Sequence, residues 1–336
     1  MKVVTFGEIM MRLSTPGFAR FSQATQWNIT FGGGEANTGI ALAQWGMENS
    51  HVTRLPDHDV GRMVAQFLQK NGVSTKDIAY GGERLGVFYL ETGAAMRASK
   101  IVYDRFDSAF ATLNPTDFDW EQILTGADWF HWTGITPAIS ASAAEACLQA
   151  IKTANRLGVK VSGDVNYRKN LWRYGKSVQE IMPALIEGCD LIVCGKGDAA
   201  DILNIYPDKL SPDNSFVSFS KQIQARFPRI KTIVTTKRGQ ISASHNTLTG
   251  RCWNGKAYIE TLPLDISHIV DRIGGGDAFI AGVIYGLLTY QDDRKALDFA
   301  VAASALKHTI EGDAALVSLS EIETVLKGDT SGRLTR

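Results

Sequence analysis

Asp271-Arg-Ile-Gly-Gly-Gly-Asp277-Ala-Phe-Ile-Ala-Gly282 sets three consecutive glycines directly before an apolar run. Glycines lack a Cβ, so bare backbone N–H groups can come close to a ligand. The run from Ala278 reads as a helix whose N-terminus faces that ligand. Such a turn suits an anion. Asp277 stands where loop becomes helix, which puts a carboxylate beside a cluster of donors. Phosphoryl transfer needs both: donors to hold charged oxygens, and a carboxylate to orient and deprotonate the attacking hydroxyl. Spacing alone leaves a second reading open, in which Asp277 caps the helix and the glycines make a sharp connection.

Upstream of this turn the chain alternates short apolar runs with helix-length segments. Strands are expected at 128–133, 159–165, 191–194 and 232–236, and helices at 140–157, 178–187, 199–205 and around 223–227. Nearly continuous apolar strands separated by helices predict a mostly parallel sheet covered on both faces, with ligands gathering at the carboxyl ends of the strands. Asp164, Asn166, Arg168, Gly195 and Lys237-Arg-Gly239 fall at such ends. Antiparallel edge strands are expected at 241–244 and 256–260. Helices follow at 277–288, 294–308 and 320–326, and then a polar tail, 329–336, that should fray.

Nearer the N-terminus, Lys2–Gly7 reads as a strand. Phe31-Gly-Gly-Gly-Glu-Ala-Asn37 leads into a helix over 36–45, so a second glycine run can approach a ligand while the Asn37 amide meets a hydroxyl. It is not the dinucleotide fingerprint, because Asn37 stands where the third glycine would fall. A strand near 50–55 and a helix over 60–71 come next. Two segments break the α/β rhythm, 10–32 and a stretch from Tyr80 with strands at 87–91 and 100–105. Alternation puts Tyr103 and Arg105 on one face, opposite Asp104. Tyr89, Tyr103 and Arg105 suit a polar, anionic ligand; an ordinary half-exposed sheet would read the same. Together the two segments suggest a small sheet laid over the main domain.

The 336 residues suffice for one large core with an attachment, and 35 basic against 35 acidic residues give net charge 0. That balance argues against nucleic acid or an anionic membrane as partner. No apolar run approaches the roughly 18 residues of a membrane span and no signal-peptide pattern is seen, so a cytoplasmic location is expected. Cys147, Cys189, Cys194 and Cys252 have neither zinc-ligand spacing nor disulfide-scaffold density. No G-x-x-x-x-G-K-[ST], H-E-x-x-H or G-x-S-x-G motif is present, which removes the usual cues for a P-loop kinase, metallopeptidase or α/β-hydrolase.

Gly33-Gly34-Glu35-Ala36-Asn37 and Asp271 through Phe279, in this order and in their helix contexts, resemble the early sugar-binding and late catalytic signatures of the ribokinase-like, or PfkB, carbohydrate kinases, over essentially the full chain. Gly275 stands where relatives often carry Ala. Phe88-Tyr-Leu-Glu91, Val102-Tyr-Asp-Arg105 through Ser108-Ala109, and Asp164-Val-Asn-Tyr-Arg168 before Leu171-Trp172 are similar to the subgroup acting on 2-keto-3-deoxygluconate. The resemblance implies a ribokinase-like three-layer α/β/α domain (1–9, 33–83 and 110–328) with a mostly parallel central sheet, and a small β-sheet lid (10–32 and 84–109). It also implies ATP-dependent phosphorylation of an acid sugar at O6, with a family kinase for fructose, tagatose or a nucleoside, or a non-catalytic sugar-sensing protein of the same fold, as the alternatives, and a homo-oligomer joined through the lid. Gly33, Gly34, Asn37, Tyr89, Tyr103, Arg105 and Arg168 would bind the sugar. Asp277 would accept the hydroxyl proton, and Gly274, Gly275 and Gly276 would hold the transferred phosphoryl group. Lys237, Gly239, Ala303, Ser304 and His308 would border the nucleotide. Asp198 would face Mg2+ and Asp265 a monovalent cation such as K+. Two positions depart from the family pattern. Gly195-Lys-Gly-Asp198 replaces an N-x-x-E run, leaving magnesium anchoring in question, and Arg12 replaces a sugar-binding Asp, which suits an acidic ligand.

Overall fold

The computed structural model describes residues 1–208 and 215–332; residues 333–336 of the expected tail lie outside the described residues. The first part of the chain forms β1 (Lys2–Phe6), β2 (Met10–Ser14), β3 (Asn28–Gly32), α1 (Gly34–Gln44), β4 (Glu48–Leu55), α2 (Asp59–Lys70), β5 (Val73–Ser74), β6 (Ile78–Tyr80), β7 (Val87–Glu91) and β8 (Lys100–Asp104). The middle forms α3 (Trp120–Leu124), β9 (Trp129–Thr133), α4 (Thr136–Ile139), α5 (Ala141–Arg156), β10 (Lys160–Asp164), α6 (Val178–Ile186), β11 (Leu191–Val193) and α7 (Lys196–Leu203). The last part forms α8 (Ser215–Arg226), β12 (Thr232–Gln240), β13 (Asn246–Trp253), β14 (Tyr258–Glu260), β15 (Leu264–Ile266), α9 (Gly275–Thr289), α10 (Asp293–Lys307) and α11 (Leu319–Leu326).

The main sheet runs β14-β13-β12-β11-β10-β9-β1-β4-β5, with β15 on β13 and β6 on β4. From β12 across to β5 and β6 every pairing is parallel. Most residues of these strands are buried on both sides because both faces are covered, the polar Asn49, Ser50, His51 and Thr53 of β4 included. Helices α3 and α5 to α8 pack on one face around Phe6, Phe130 and Trp132. On the other face α1 and α9 to α11 surround Val3, Trp129, Phe279 and Phe299. The result is the ribokinase-like three-layer α/β/α architecture. Among the described residues no helix is long and apolar enough to cross a membrane.

The edge beyond β12 differs from the sequence expectation. Residues 241–244 are a turn, not a strand: the N–H groups of Ile241 and Ser242 both donate to the His245 carbonyl, at 3.1 and 2.9 Å. Strand β12 runs on to Gln240, and its antiparallel partner is β13. Thr247, Thr249, Gly250 and Arg251 dilute the apolar signal of β13, although Leu248 and Cys252 are buried at its core face. Helix α7 starts earlier than expected, at Lys196, and Asn204 ends it in the left-handed conformation (φ 56°).

The lid is a separate sheet in the order β3-β2-β7-β8. Its register puts Thr30, Arg12, Phe88 and Tyr103 in one row and Ile29, Leu13, Tyr89 and Val102 in the next. Side chains alternate across a strand, so adjacent rows face opposite ways. The first row faces the main domain. The second faces outward, leaving Ile29 55% and Val102 52% exposed.

Candidate active site

A cleft of about 610 Å³ lies between the lid and the carboxyl ends of β1, β9, β10, β11 and β12. The late glycine turn forms one wall. Asp271 shapes its entry: one carboxylate oxygen accepts the Ile273 N–H at 3.0 Å, the other the Gly312 N–H at 3.1 Å. Gly274 is left-handed (φ 83°), and a Cβ there would stand 1.7 Å from the Asp313 carbonyl, so only glycine fits. The chain then enters α9, whose first-turn N–H groups at Gly276 and Asp277 have no intrahelical partners and lie at the cleft wall. Ser304 donates to the Gly275 carbonyl at 2.7 Å. A peptide's C=O and N–H point in opposite directions, so this bond turns the Gly276 N–H outward. The His308 ring fills the space behind Gly275, where a Cβ would approach its Cε1 to 2.4 Å. That ring accounts for glycine at this position.

The Asp277 carboxylate lies beside this turn and accepts from the Asn37 amide at 2.8 Å, so the two glycine runs meet at one group. Burial raises the Asp277 pKa from 3.8 to about 7, against the Asn37 hydrogen bond. Asp164 stands across from it at the end of β10. Burial and then the charge of Asp277 push its pKa up to about 8, while Arg168 opposes the shift. Asn166, left-handed at φ 35°, gives the Asp164 carboxylate its N–H. Both carboxyl groups thus titrate close to neutrality, Asp277 first, and its charge then holds the proton on Asp164.

At the opposite end the early glycines are fixed by protein. A Cβ on Gly33 would meet the Glu8 carbonyl at 2.1 Å, and one on Gly32 the Asp313 carboxylate at 1.9 Å. Glu35, fully buried, accepts from Thr133 N, Thr133 Oγ1 and Thr136 Oγ1 at 3.0, 2.8 and 2.7 Å, which ties α1 to the end of β9. Gly33, Gly34, Asn37, Tyr103, Arg105 and Arg168 all line the cleft. Tyr89 does not: the lid register turns it outward, where it packs against Trp27 at 5.5 Å, and Phe88 and Leu90 face inward in its place. The two arginines differ. Arg105 is buried and ion-paired to Glu8, which Ser108 also holds. Arg168 is exposed, and its only hydrogen bond among the described residues is to the neighbouring Tyr167 carbonyl.

Arg12 also departs from its expected place. It lies in the inner row but is 2% exposed, its guanidinium shared between Asp271 at 2.6 Å and Asp313. It binds the base of the lid to the glycine turn and is no part of the cleft wall.

Where the nucleotide is expected, Thr236 and Arg238 line the cleft, while Lys237 and Gly239 do not. Strand β12 continues through these residues, so alternation selects the even positions. Ala303, Ser304 and His308 also stand off the wall, because α10 packs beneath α9 and supports the turn from behind. Asp198 lines the cleft and accepts the Gly195 N–H at 3.0 Å, capping α7. Asp265 lies on the surface against His245 at 2.6 Å, away from the cleft. Among the described residues no group of three or more His, Cys, Asp or Glu is placed to hold a metal ion. A cation carried in by phosphates needs fewer protein oxygens. Asp164 and Asp198, both on the wall, are the carboxylates fitted to face one.

Glu8, Arg238, Arg272 and Asp313 are wall residues that the sequence reading did not single out. Glu8 follows β1, a parallel strand, and the strand-end rule points to it. Asp313 follows a loop with no comparable signal. The lid reaches across the cleft at its tip, where the Ala243 N–H donates to the Ala95 carbonyl at 2.7 Å and the Ala95 N–H to Ser244 Oγ at 3.2 Å.

Residues 1–318 match the profile of the pfkB family of carbohydrate kinases. The chain belongs to that family. A 2-dehydro-3-deoxygalactonokinase of Haloferax volcanii is 30% identical over 98% of both chains. A 2-dehydro-3-deoxygluconokinase of Thermoproteus tenax is 31% identical over 97% of this chain and 94% of its own. The crystal structure of 2-dehydro-3-deoxygluconokinase from Thermotoga maritima superposes with a TM-score of 0.93 at 41% identity, covering 98% of this chain and 100% of that one. As a member of the pfkB family the chain is a sugar kinase, using ATP as phosphoryl donor.

Proposed function

We propose that the chain phosphorylates O6 of 2-keto-3-deoxygluconate with ATP, giving ADP and 2-keto-3-deoxy-6-phosphogluconate. The observation that carries the acid-sugar reading is Arg168, a guanidinium at the cleft wall without an ion-pair partner among the described residues. A carboxylate ligand would engage it in bidentate fashion, which a neutral hexose would not need. Arg105, held by Glu8 beside Tyr103, is pre-oriented for sugar hydroxyls or the keto group. The names of the Thermotoga maritima and Thermoproteus tenax relatives support the same substrate class.

In this reading Asn37 and Gly34 hold the sugar's far end against Asp277. Asp277, ionised above about pH 7, accepts the O6 proton as the bond to phosphorus forms. The Gly276 and Asp277 N–H groups and the α9 N-terminus receive the charge of the transferred group. Mg2+ brought with ATP would neutralise phosphate charge, and Asp164 and Asp198 are the residues that would face it. Arg238 and Arg272 line the same end, and each is suited to phosphate oxygens. The lid excludes water, which protects ATP from hydrolysis. The outward lid row, with Ile29 and Val102 exposed, is our candidate for a homo-oligomer contact.

The test is ATP-dependent turnover with 2-keto-3-deoxygluconate beside its galactonate-derived epimer, fructose and ribose. The name of the Haloferax volcanii relative is the reason for including the epimer. Turnover confined to acid sugars is expected, with Arg168→Gln raising the acid sugar's KM about 10- to 100-fold as a charged hydrogen bond is lost. Turnover on neutral sugars alone would overturn the substrate reading.

A further inference from the structure

The last turn of α10 carries Ser304, Lys307 and His308 against the underside of the glycine turn, and the mechanism above uses no cation there. Lys307 is 0% exposed. Its Nζ donates to the backbone carbonyls of Asp271 at 3.3 Å and Ile310 at 3.1 Å, and no carboxylate among the described residues comes within ion-pair distance of it. Its Cε lies 3.2 Å from where a Cβ on Gly274 would stand, directly beneath the turn. Burial pushes its pKa down, while the charges of Asp271 and Asp313 oppose the shift.

Two carbonyls replace only part of an ammonium's hydration, so a lysine in this place is costly unless its charge is used. The local charges indicate the use. Asp271 and Asp313 flank the turn and Arg12 spans both, which leaves one negative charge uncompensated. Lys307 supplies the second positive charge. Its bond to the Asp271 carbonyl also fixes the Asp271–Arg272 peptide at the entry to the turn, and peptide planarity then points the Arg272 N–H the other way.

Resting on the kinase reading above, we propose that Lys307 is the positioning cation of the glycine turn. Its ammonium holds the Asp271–Arg272 peptide and keeps a tethered positive charge under Gly274, opposite the phosphoryl group, so that no exchangeable monovalent cation is needed at this place. Asp265, the residue expected to face such a cation, lies on the surface.

The full-length enzyme is assayed with ATP and whichever sugar it turns over, as wild type, Lys307→Met and Lys307→Arg, in Na+, K+ and NH4+ salts at equal ionic strength. Wild-type rates are expected to be equal in the three salts. The Met variant should lose kcat about tenfold or more with the sugar KM unchanged. NH4+ or methylammonium should recover part of that loss, and the Arg variant should lose less. A folded Met variant with wild-type kcat overturns the proposal, as does a wild type that requires K+. A loss that neither Arg nor any added cation lessens makes Lys307 a packing residue and overturns it as well. Should the Met variant fail to fold, Lys307→Gln keeps a donor for the carbonyls without the charge, and full activity in it is again fatal. Calorimetric affinity for ATP with magnesium decides the matter apart from turnover, and equal affinity in wild type and the neutral variants is the overturning result. If the wild type phosphorylates no sugar, the kinase reading fails while those affinities still bear on Lys307.

Discussion

The molecule contains two runs of three glycines that look interchangeable in sequence and differ at one position. In the early run every glycine faces protein: Gly32 meets Asp313, Gly33 the Glu8 carbonyl, and Gly34 the side chains of Thr133 and Asp277. In the late run Gly274 and Gly275 are likewise required by Asp313 and His308, but nothing stands within 4 Å of a Cβ on Gly276. No protein atom demands glycine there, which leaves close approach of a ligand as its use. A glycine run therefore identifies a binding loop only after each position is asked what occupies the missing side chain's place.

Four substitutions or conditions probe that contrast. The largest effect is expected from Asp277→Asn, where the two runs meet, with kcat falling about a thousandfold as the proton acceptor is lost. Stability should respond in the other direction. Because burial raises the Asp277 pKa from 3.8 to about 7, the native state holds its proton more tightly than the unfolded chain, and stability drops as pH climbs between those values. Melting curves should show the Asn variant gaining on wild type across that window and level with it below about pH 4. A variant that melts lower at every pH would make Asp277 a structural cap.

Gly33→Ala comes next. Its methyl group would enter the Glu8 carbonyl at 2.1 Å, a backbone atom that cannot swing aside. A loss of about 2 kcal/mol or more in denaturant unfolding is expected. Gly276→Ala should do the reverse, leaving the denaturation midpoint unchanged or slightly raised because Ala favours the helix. Its ATP-dependent rate should still drop about tenfold, as the close approach is blocked. Equal destabilisation by the two alanines would erase the distinction between the runs.

The smallest expected effect is on pH dependence. The rate should rise with pH through about 7 as Asp277 ionises, and because Asp164, at about 8, is still protonated across that limb, Asp164→Asn should leave it in place. A limb displaced to lower pH in the Asn variant would show that Asp164 carries charge while Asp277 titrates.

The layered fold was legible because strands such as β1, β9 and β11 carry apolar residues on both faces and the segments between strands have helical length. The glycine turn and Asp277 were legible because their spacing carries chemistry. Facing and partnership were not. Tyr89 lies outside the cleft because the β7–β8 register pairs Phe88 with Tyr103, and register is a relation between strands that one strand's sequence does not contain. Arg238 was placed at a strand end with its neighbours, but the nucleotide role went to Lys237 and Gly239 because β12 was expected to end at 236, which hid the alternation. Arg12 and Arg105 read as free cations, since nothing local announces a partner as distant in sequence as Asp313 or Glu8. Arg168 differs from both in having no such partner among the described residues, and that contrast required coordinates.

The lid is fastened unequally at its two ends. Its base carries the Arg12 guanidinium, buried between Asp271 and Asp313, and breaking that contact would strand charges away from water. Its tip is held by two hydrogen bonds, from the Ala243 N–H to the Ala95 carbonyl and from the Ala95 N–H to Ser244 Oγ, each worth only about 1 kcal/mol net. A flap fastened in this way gives way first at the tip, while its buried base keeps Asp271 and the glycine turn in alignment.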